Sequence, residues 1–217
     1  MQPIVPEKTI SETLFETFCT ERGIPFTVVP RADTVTPDYD IELSGHIIVA
    51  EMKQCDPNQA DVDSWNAARV RGSGGAWEEP GRRVRLKIQN CKKQLKARSN
   101  GQFPTLLVIY DNGTFCGVDP SDIKTAMYGD EKVVITRAGS DVLVSAVHPG
   151  GGRKFTPDCG TSISAIALMH RLGHSIKMFH NHFARLPIDP EWYRGESLRH
   201  FALDPTDATA GYEWKSV

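Results

Sequence analysis

Residues 36–54, TPDYDIELSGHIIVAEMKQ, constrain this chain more than any other stretch. Thr36 to Leu43 alternates, with Asp38, Asp40 and Glu42 on one side and Tyr39, Ile41 and Leu43 on the other, which is the period of a half-buried strand. Ser44-Gly45 is a turn signal, and the β-rich run His46 to Gln54 is predicted to pair back as a hairpin. The apolar run Ile47-Ile48-Val49-Ala50 ends in Glu51 and Lys53, two residues apart and therefore on one face. Charges at the end of a core strand cost desolvation unless they are paired or bind something. Asp38 opens the other strand of the hairpin. Two carboxylates ~4 Å apart repel by ~4 kcal/mol at an effective dielectric near 20. A divalent cation between them turns that repulsion into binding, and oxygen ligands suit Mg²⁺. A lysine beside it could position a water and neutralise charge on a phosphate oxygen.

The flanking sequence predicts what packs on this hairpin. Ser11 to Arg22 reads as a helix with Ser11 as N-cap, an apolar stripe of Leu14, Phe15 and Phe18, and Gly23 as terminator. Ile24 to Pro30 reads as a short strand. Residues 56–81, including RGSGGAWEEPG, show no period and are expected to be a long loop able to close over a ligand. Arg82 to Arg98 is an amphipathic helix whose buried stripe is Val84, Ile88, Cys91 and Leu95. Thr105 to Tyr110 is a buried strand ended by Asp111-Asn112-Gly113. Beyond it come a helix at Pro120 to Tyr128, a hairpin of Lys132–Thr136 with Val142–Val147, and a loop at HPGGGRKFTP. Strands follow at Ile163–Met169 and Ser175–Phe179, then a tail expected to wrap irregularly. Phe15, Phe18, Ile48, Ala50, Met52, Val84, Ile88, Leu95, Leu107 and Ile109 are the expected core. The fold class is α/β, a mixed central sheet flanked by helices, in one domain over 1–217, with a core at about 10–111 and an extension with further strands at about 112–217.

Hydrophobic residues make up 40% of the 217 residues and charged ones 24%, which excludes a largely disordered or fibrous chain. No apolar run approaches a membrane span, and the opening MQPIVPEKTISE carries no long apolar stretch, so neither a membrane partner nor a secretory leader is expected. Five widely spaced cysteines fit reduced thiols of a cytoplasmic protein. The net charge of −2 hides a local excess, because Arg82, Arg83, Arg85, Lys87, Lys92, Lys93, Lys96 and Arg98 fall within 17 residues that hold no acid. That strip suits an anionic partner such as nucleic acid, or else is a solvated helix face.

Pro37-Asp38 followed by Glu51-x-Lys53 resembles the PD-(D/E)xK signature of the restriction-endonuclease-like nuclease superfamily. The order helix, strand, strand, strand, helix, strand is similar to that superfamily's αβββαβ core. The resemblance covers about residues 10–111 and implies a Mg²⁺-dependent phosphodiesterase acting on DNA, with Mn²⁺ able to substitute, and an endonuclease before an exonuclease. It implies that Asp38, Glu51 and the Met52 carbonyl bind metal, that Lys53 assists the attacking water, and that a first-helix glutamate faces the metal. Glu12 best matches that glutamate, with Glu16 as the alternate. The products would carry 5′-phosphate and 3′-hydroxyl ends. The basic strip would track the DNA backbone without reading sequence. RNA or branched DNA as substrate, a non-catalytic nucleic-acid-binding module of the same fold, and a homodimer are the open alternatives.

Other features rank lower. Asp40 shares a face with Asp38 and is a second-ligand candidate or a solvated strand position. Gln54 is a strand-end polar residue. His180-Asn181-His182 lacks the dispersed ββα layout of an HNH nuclease. His170, His174, His180 and His182 cluster in sequence without a common helix to align them on a metal. Gly150-Gly151-Gly152-Arg153-Lys154 lacks the strand-to-helix context of a phosphate loop.

Overall fold

The computed structural model describes residues 8–30, 36–75, 78–113, 117–145, 147–171, 175–207 and 212–217. The first half runs α1 (Ile10–Glu21), β1 (Phe26–Val28), β2 (Tyr39–Leu43), β3 (His46–Cys55), α2 (Gln59–Arg71), α3 (Arg82–Ser99) and β4 (Thr105–Asp111). Then follow α4 (Pro120–Tyr128), β5 (Glu131–Lys132), β6 (Ile135–Ala138), β7 (Asp141–Val144) and β8 (His148–Pro149). β9 (Ala165–His170), β10 (Ile176–His180), β11 (Leu198–Ala202) and β12 (Lys215–Ser216) close the chain. Eight strands form one mixed sheet in the order β1-β2-β3-β4-β9-β10-β11-β12. β3, β4 and β9 run parallel at its centre, and β2–β3 is the antiparallel hairpin expected from residues 36–54. Its turn is Ser44-Gly45, with φ of 49° and 81°, the doubly positive geometry that matches the strand twist and needs a residue without Cβ strain at the second position.

The sheet is covered on both faces. Phe15 and Phe18 of α1 pack on Tyr39, Ile41, Ile48, Ala50, Met52, Val108 and Met178. Val84, Ile88, Cys91 and Leu95 of α3, with Ile123 and Met127 of α4, pack on Val49, Leu107, Ile109, Ile166 and Leu168. The ten expected core residues are all buried, none more than 6% exposed. β4 is buried along its whole length, which explains why it reads as an unbroken apolar run rather than an alternation. Among the described residues no helix is long and apolar enough to cross a membrane, and Cys19, Cys55, Cys91 and Cys159 are free thiols.

Three expectations are corrected. The N-cap of α1 is Thr9 rather than Ser11. Its hydroxyl accepts from the Glu12 N–H while the Glu12 carboxylate accepts from the Thr9 N–H, a reciprocal pair that a cap at Ser11 could not make with Glu12. Residues 56–81 are not one long loop, because α2 occupies thirteen of them. α2 has no apolar stripe to betray it. It is specified by its ends, a reciprocal cap between Asn58 and Asp61 and a left-handed Gly72 at its C-terminus. The tail contributes strands β11 and β12 to the main sheet. A histidine chain ties it there, with His200 Nε2–H donating to the Tyr193 carbonyl and a hydrogen bond between His180 Nε2 and His200 Nδ1, each at 2.9 Å. Burial pushes His180 down to about 4, so it is neutral at physiological pH, and burial lowers His200 as well.

Candidate active site

β2 and β3 pair from Leu43–His46 to Tyr39–Ala50 and then separate. The next step of that register would set Asp38 opposite Glu51, two like charges that a closed ladder would hold face to face. The strands fork there instead. The Met52 N–H, left without a strand partner on that side, donates to Asp38 Oδ2 at 2.8 Å. The Asp38 carbonyl accepts from the Val29 N–H at 2.9 Å. Asp38 is thus held from both sides at the mouth of the fork by backbone groups.

Glu51 faces α3, on the same side of β3 as Val49, and is 1% exposed. Its Oε1 accepts from the Lys53 ammonium, and its Oε2 has no hydrogen-bond partner among the described residues. Burial pushes the Glu51 carboxyl up to about 7; Asp38 adds to the rise, while Lys53 and the nearby Gln94 amide oppose it. An orphaned, buried carboxylate oxygen beside a second acid is a costly arrangement unless a cation completes it. Lys53 stays partly exposed, so its charge reaches the solvent side of the fork.

Asp38, Glu51 and Lys53 therefore meet at one fork, and the Met52 peptide lies within it. Glu12 takes part in the cap of α1. It is largely buried on α1, which packs on the opposite face of the sheet, and its Oε2 accepts from both the N–H and the hydroxyl of Thr9. Glu16 accepts from the Tyr39 hydroxyl at 3.0 Å and pairs with Lys8. Tyr39 links the two sides, since burial and the charges of Glu16, Glu12 and Asp38 together hold its phenol protonated. Asp40 is not part of the cluster; it pairs with Arg98 of α3.

No protein-family model matches the chain, and no curated protein and no solved structure matches it either.

The basic strip is divided by the helix into three flanks. Arg83 pairs with Asp61 and Glu78. Arg85, also largely buried, pairs with Glu79 and donates to the Pro80 carbonyl. Both are engaged by acids of the same chain. Both sit in the first turn of α3, where the helix dipole already concentrates positive potential, and acids from outside the helix gather there to offset it. Arg82, Lys93 and Lys96 are exposed on the outer face, whereas Lys87 and Lys92 are half-buried on the flanks. Lys92 Nζ lies 3.6 Å from Cys159 Sγ.

Sequence reasoning missed Gln94, Tyr39 and Cys91 as neighbours of the site. Gln94 Nε2–H donates to the Thr36 carbonyl at 3.1 Å, clasping α3 to the segment that carries Asp38 into β2. Only its place on the helix flank between Lys87 and Arg98 hinted at this. Cys91 lies close enough for Glu51 to raise its thiol, which burial pushes up to about 12. Among the described residues no group of three or more His, Cys, Asp or Glu is arranged to hold a metal ion, His170, His180 and His182 included. His174 lies outside the described residues.

Proposed function

We propose that the chain is a metal-dependent nuclease that hydrolyses DNA phosphodiester bonds, an endonuclease before an exonuclease, on a restriction-endonuclease-like core. The order α1-β1-β2-β3-α3-β4, with α2 as an insertion, supports the core. The single observation that carries the reading is the fork, where Asp38 and the buried Glu51 converge with Lys53 and Glu51 Oε2 is left without a partner.

The residues present fit a Mg²⁺ ion, which needs only one or two carboxylates and keeps several of its waters. Asp38, Glu51 and the Met52 carbonyl would hold it, and Mn²⁺ could replace it. Glu12 engages the α1 cap through Oε2 alone. When bound, the ion supplies Lewis-acid stabilisation of a phosphoryl oxygen and an acidified water. The chain's own groups do the rest. Met52 N–H fixes Asp38, the Gln94 clasp fixes the strand before it, and the Lys53 ammonium offers donors to charge that develops on a non-bridging phosphate oxygen. The Cys91 thiol stays protonated and buried, which leaves water and not sulfur as the nucleophile. Arg82, Lys93 and Lys96 supply the exposed charge for a nucleic-acid backbone, contacts that give affinity without sequence information.

The test is calorimetric titration of Mg²⁺ and Mn²⁺ into the full chain, paired with single-turnover cleavage of linear, nicked, supercoiled, single-stranded and branched DNA and of RNA. Metal-dependent cleavage that Asp38→Ala and Glu51→Ala abolish is the expected result, and the panel assigns the polymer. Nucleic-acid binding with no cleavage in either metal would instead make the fold a binding module.

A further inference from the structure

The insertion that carries α2 is fastened at both ends to one side chain. Arg83 of α3 pairs with Asp61, in the first turn of α2, and with Glu78, on the segment that leads back into α3. Beyond these ties Asp61 is the only buried residue of α2, and its other side chains are half-buried or exposed. The returning chain folds against the helix itself, because the Gly74 backbone comes too close to the Ser64 carbonyl to admit a side chain. Residues 59–75 thus form an arm held at its base.

That base lies beside the fork. Only Asp56, Pro57 and Asn58 separate β3 from α2, and Cys55 shares a face of β3 with Glu51 and Lys53. Arg83 comes near enough to Cys55 to oppose the rise that burial imposes on its thiol. Cys55 stands two residues beyond Lys53, ~7 Å along the strand.

From Ser64 to Gly75 the sequence holds Arg69 and Arg71 and no acid. Both are exposed, and neither is ion-paired among the described residues. The acids at the base, Asp61, Glu78 and Glu79, are engaged by Arg83 and Arg85. Asp63 is two residues from Trp65 and so on the other side of the helix. Cations in a last turn also suit the helix dipole. Trp65 has no such reason to stand 38% exposed in the middle of a polar helix. It lies four residues before Arg69, on the same face.

We propose that the arm is a clamp for a single-stranded stretch of nucleic acid beside the fork, with Arg69 and Arg71 on backbone phosphates and Trp65 stacked on an unpaired base. The proposal rests on the nuclease reading for its partner. A basic helix with an aromatic face matches a single strand twice, anion to guanidinium and base face to indole. A duplex offers the anions but keeps its base faces stacked. An anionic lipid surface is recognised by clusters of roughly four to eight cations, and the arm has two.

The experiment is fluorescence anisotropy of the full chain with a labelled single strand and a labelled duplex, in EDTA so that nothing is cut, beside metal-dependent cleavage of both. Arg69→Ala with Arg71→Ala should flatten the slope of log K against log salt on the single strand by about 1.4, and Arg69→Lys with Arg71→Lys should restore it. Trp65→Ala should weaken the single strand about tenfold and leave the duplex within about twofold, while Trp65→Phe keeps most of the affinity. Thermal midpoints of the arginine variants should match the wild type. Arm variants that bind like a wild type that cuts overturn the proposal and leave the nuclease reading standing. Loss of single strand and duplex alike in Trp65→Ala makes its role structural and overturns the clamp. So does arm-dependent self-association, or association with anionic vesicles, in place of nucleic acid. Arm-dependent single-strand binding without cleavage keeps the clamp and removes the nuclease reading; a wild type that binds neither polymer removes both.

Discussion

Burying Glu51 beside Asp38 leaves the native state with a carboxyl that ionises near neutrality, whereas the unfolded chain ionises the same group near 4.5. Between those values the native state holds a proton that the unfolded state has released, so stability falls as pH rises from about 4.5 through about 7 and levels off above. The shift corresponds to about 3 kcal/mol. Glu51→Gln should abolish this slope and melt higher than the wild type at pH 8, where the wild-type charge is fully present. Melting curves between pH 4.5 and 8.5 decide it, and a slope that persists in the variant would place its cause elsewhere. Saturating Mg²⁺ should restore stability to the wild type at pH 8 and not to the variant. Lys53→Ala removes a group that holds the Glu51 carboxyl down, so the slope should extend to higher pH. If Lys53 acts on the transition state, that variant should also keep metal binding and lose a factor of ~10²–10³ in single-turnover rate.

At the scale of the element, α3 carries two sets of cations, one paired with acids from outside the helix and one exposed. Arg83 ties α2 to α3 through Asp61, which is itself buried and caps α2. Arg83→Ala should cost about 2 kcal/mol by stranding that carboxylate, with little effect on nucleic-acid affinity. Replacing Arg82, Lys93 and Lys96 with Ala should do the reverse, leaving the melting temperature in place and reducing the slope of log K against log salt by about 2–3. Denaturation and salt-dependent binding on both variants separate the roles. The charge run was legible as a helix because Val84, Ile88, Cys91 and Leu95 repeat at its period. Its division was not, because Asp61, Glu78 and Glu79 come from outside the helix and their pairing is a matter of packing. α2 escaped notice for a related reason. Its residues show no apolar period, and its order comes from caps and from one ion pair that only the folded chain assembles.

For the whole molecule, the C-terminal half is part of the same sheet as the fork. β9 lies against β4 and continues both cores, with Ala165 and Met169 on one face and Ile166 and Leu168 on the other. A chain ending at Asp111 would keep every residue of the nuclease-like signature and turn β4, buried along its length, into an open edge. It should fail to fold cooperatively, as circular dichroism and hydrogen exchange would show. Alternation in residues 36–54 and helical period in 82–98 determined the hairpin, the basic helix, the six expected core residues within them and the meeting of Asp38, Glu51 and Lys53, because these depend on neighbours close along the chain or on a face set by periodicity. Tertiary structure alone decided that Glu12 pairs with Thr9 at the start of its helix, that Gln94 clasps the segment before Asp38, that Arg83 and Arg85 pair with acids from outside their helix, and that the tail becomes strand. Each of those depends on which residue arrives beside it, and a desolvated charge is committed to the partner that packing brings near.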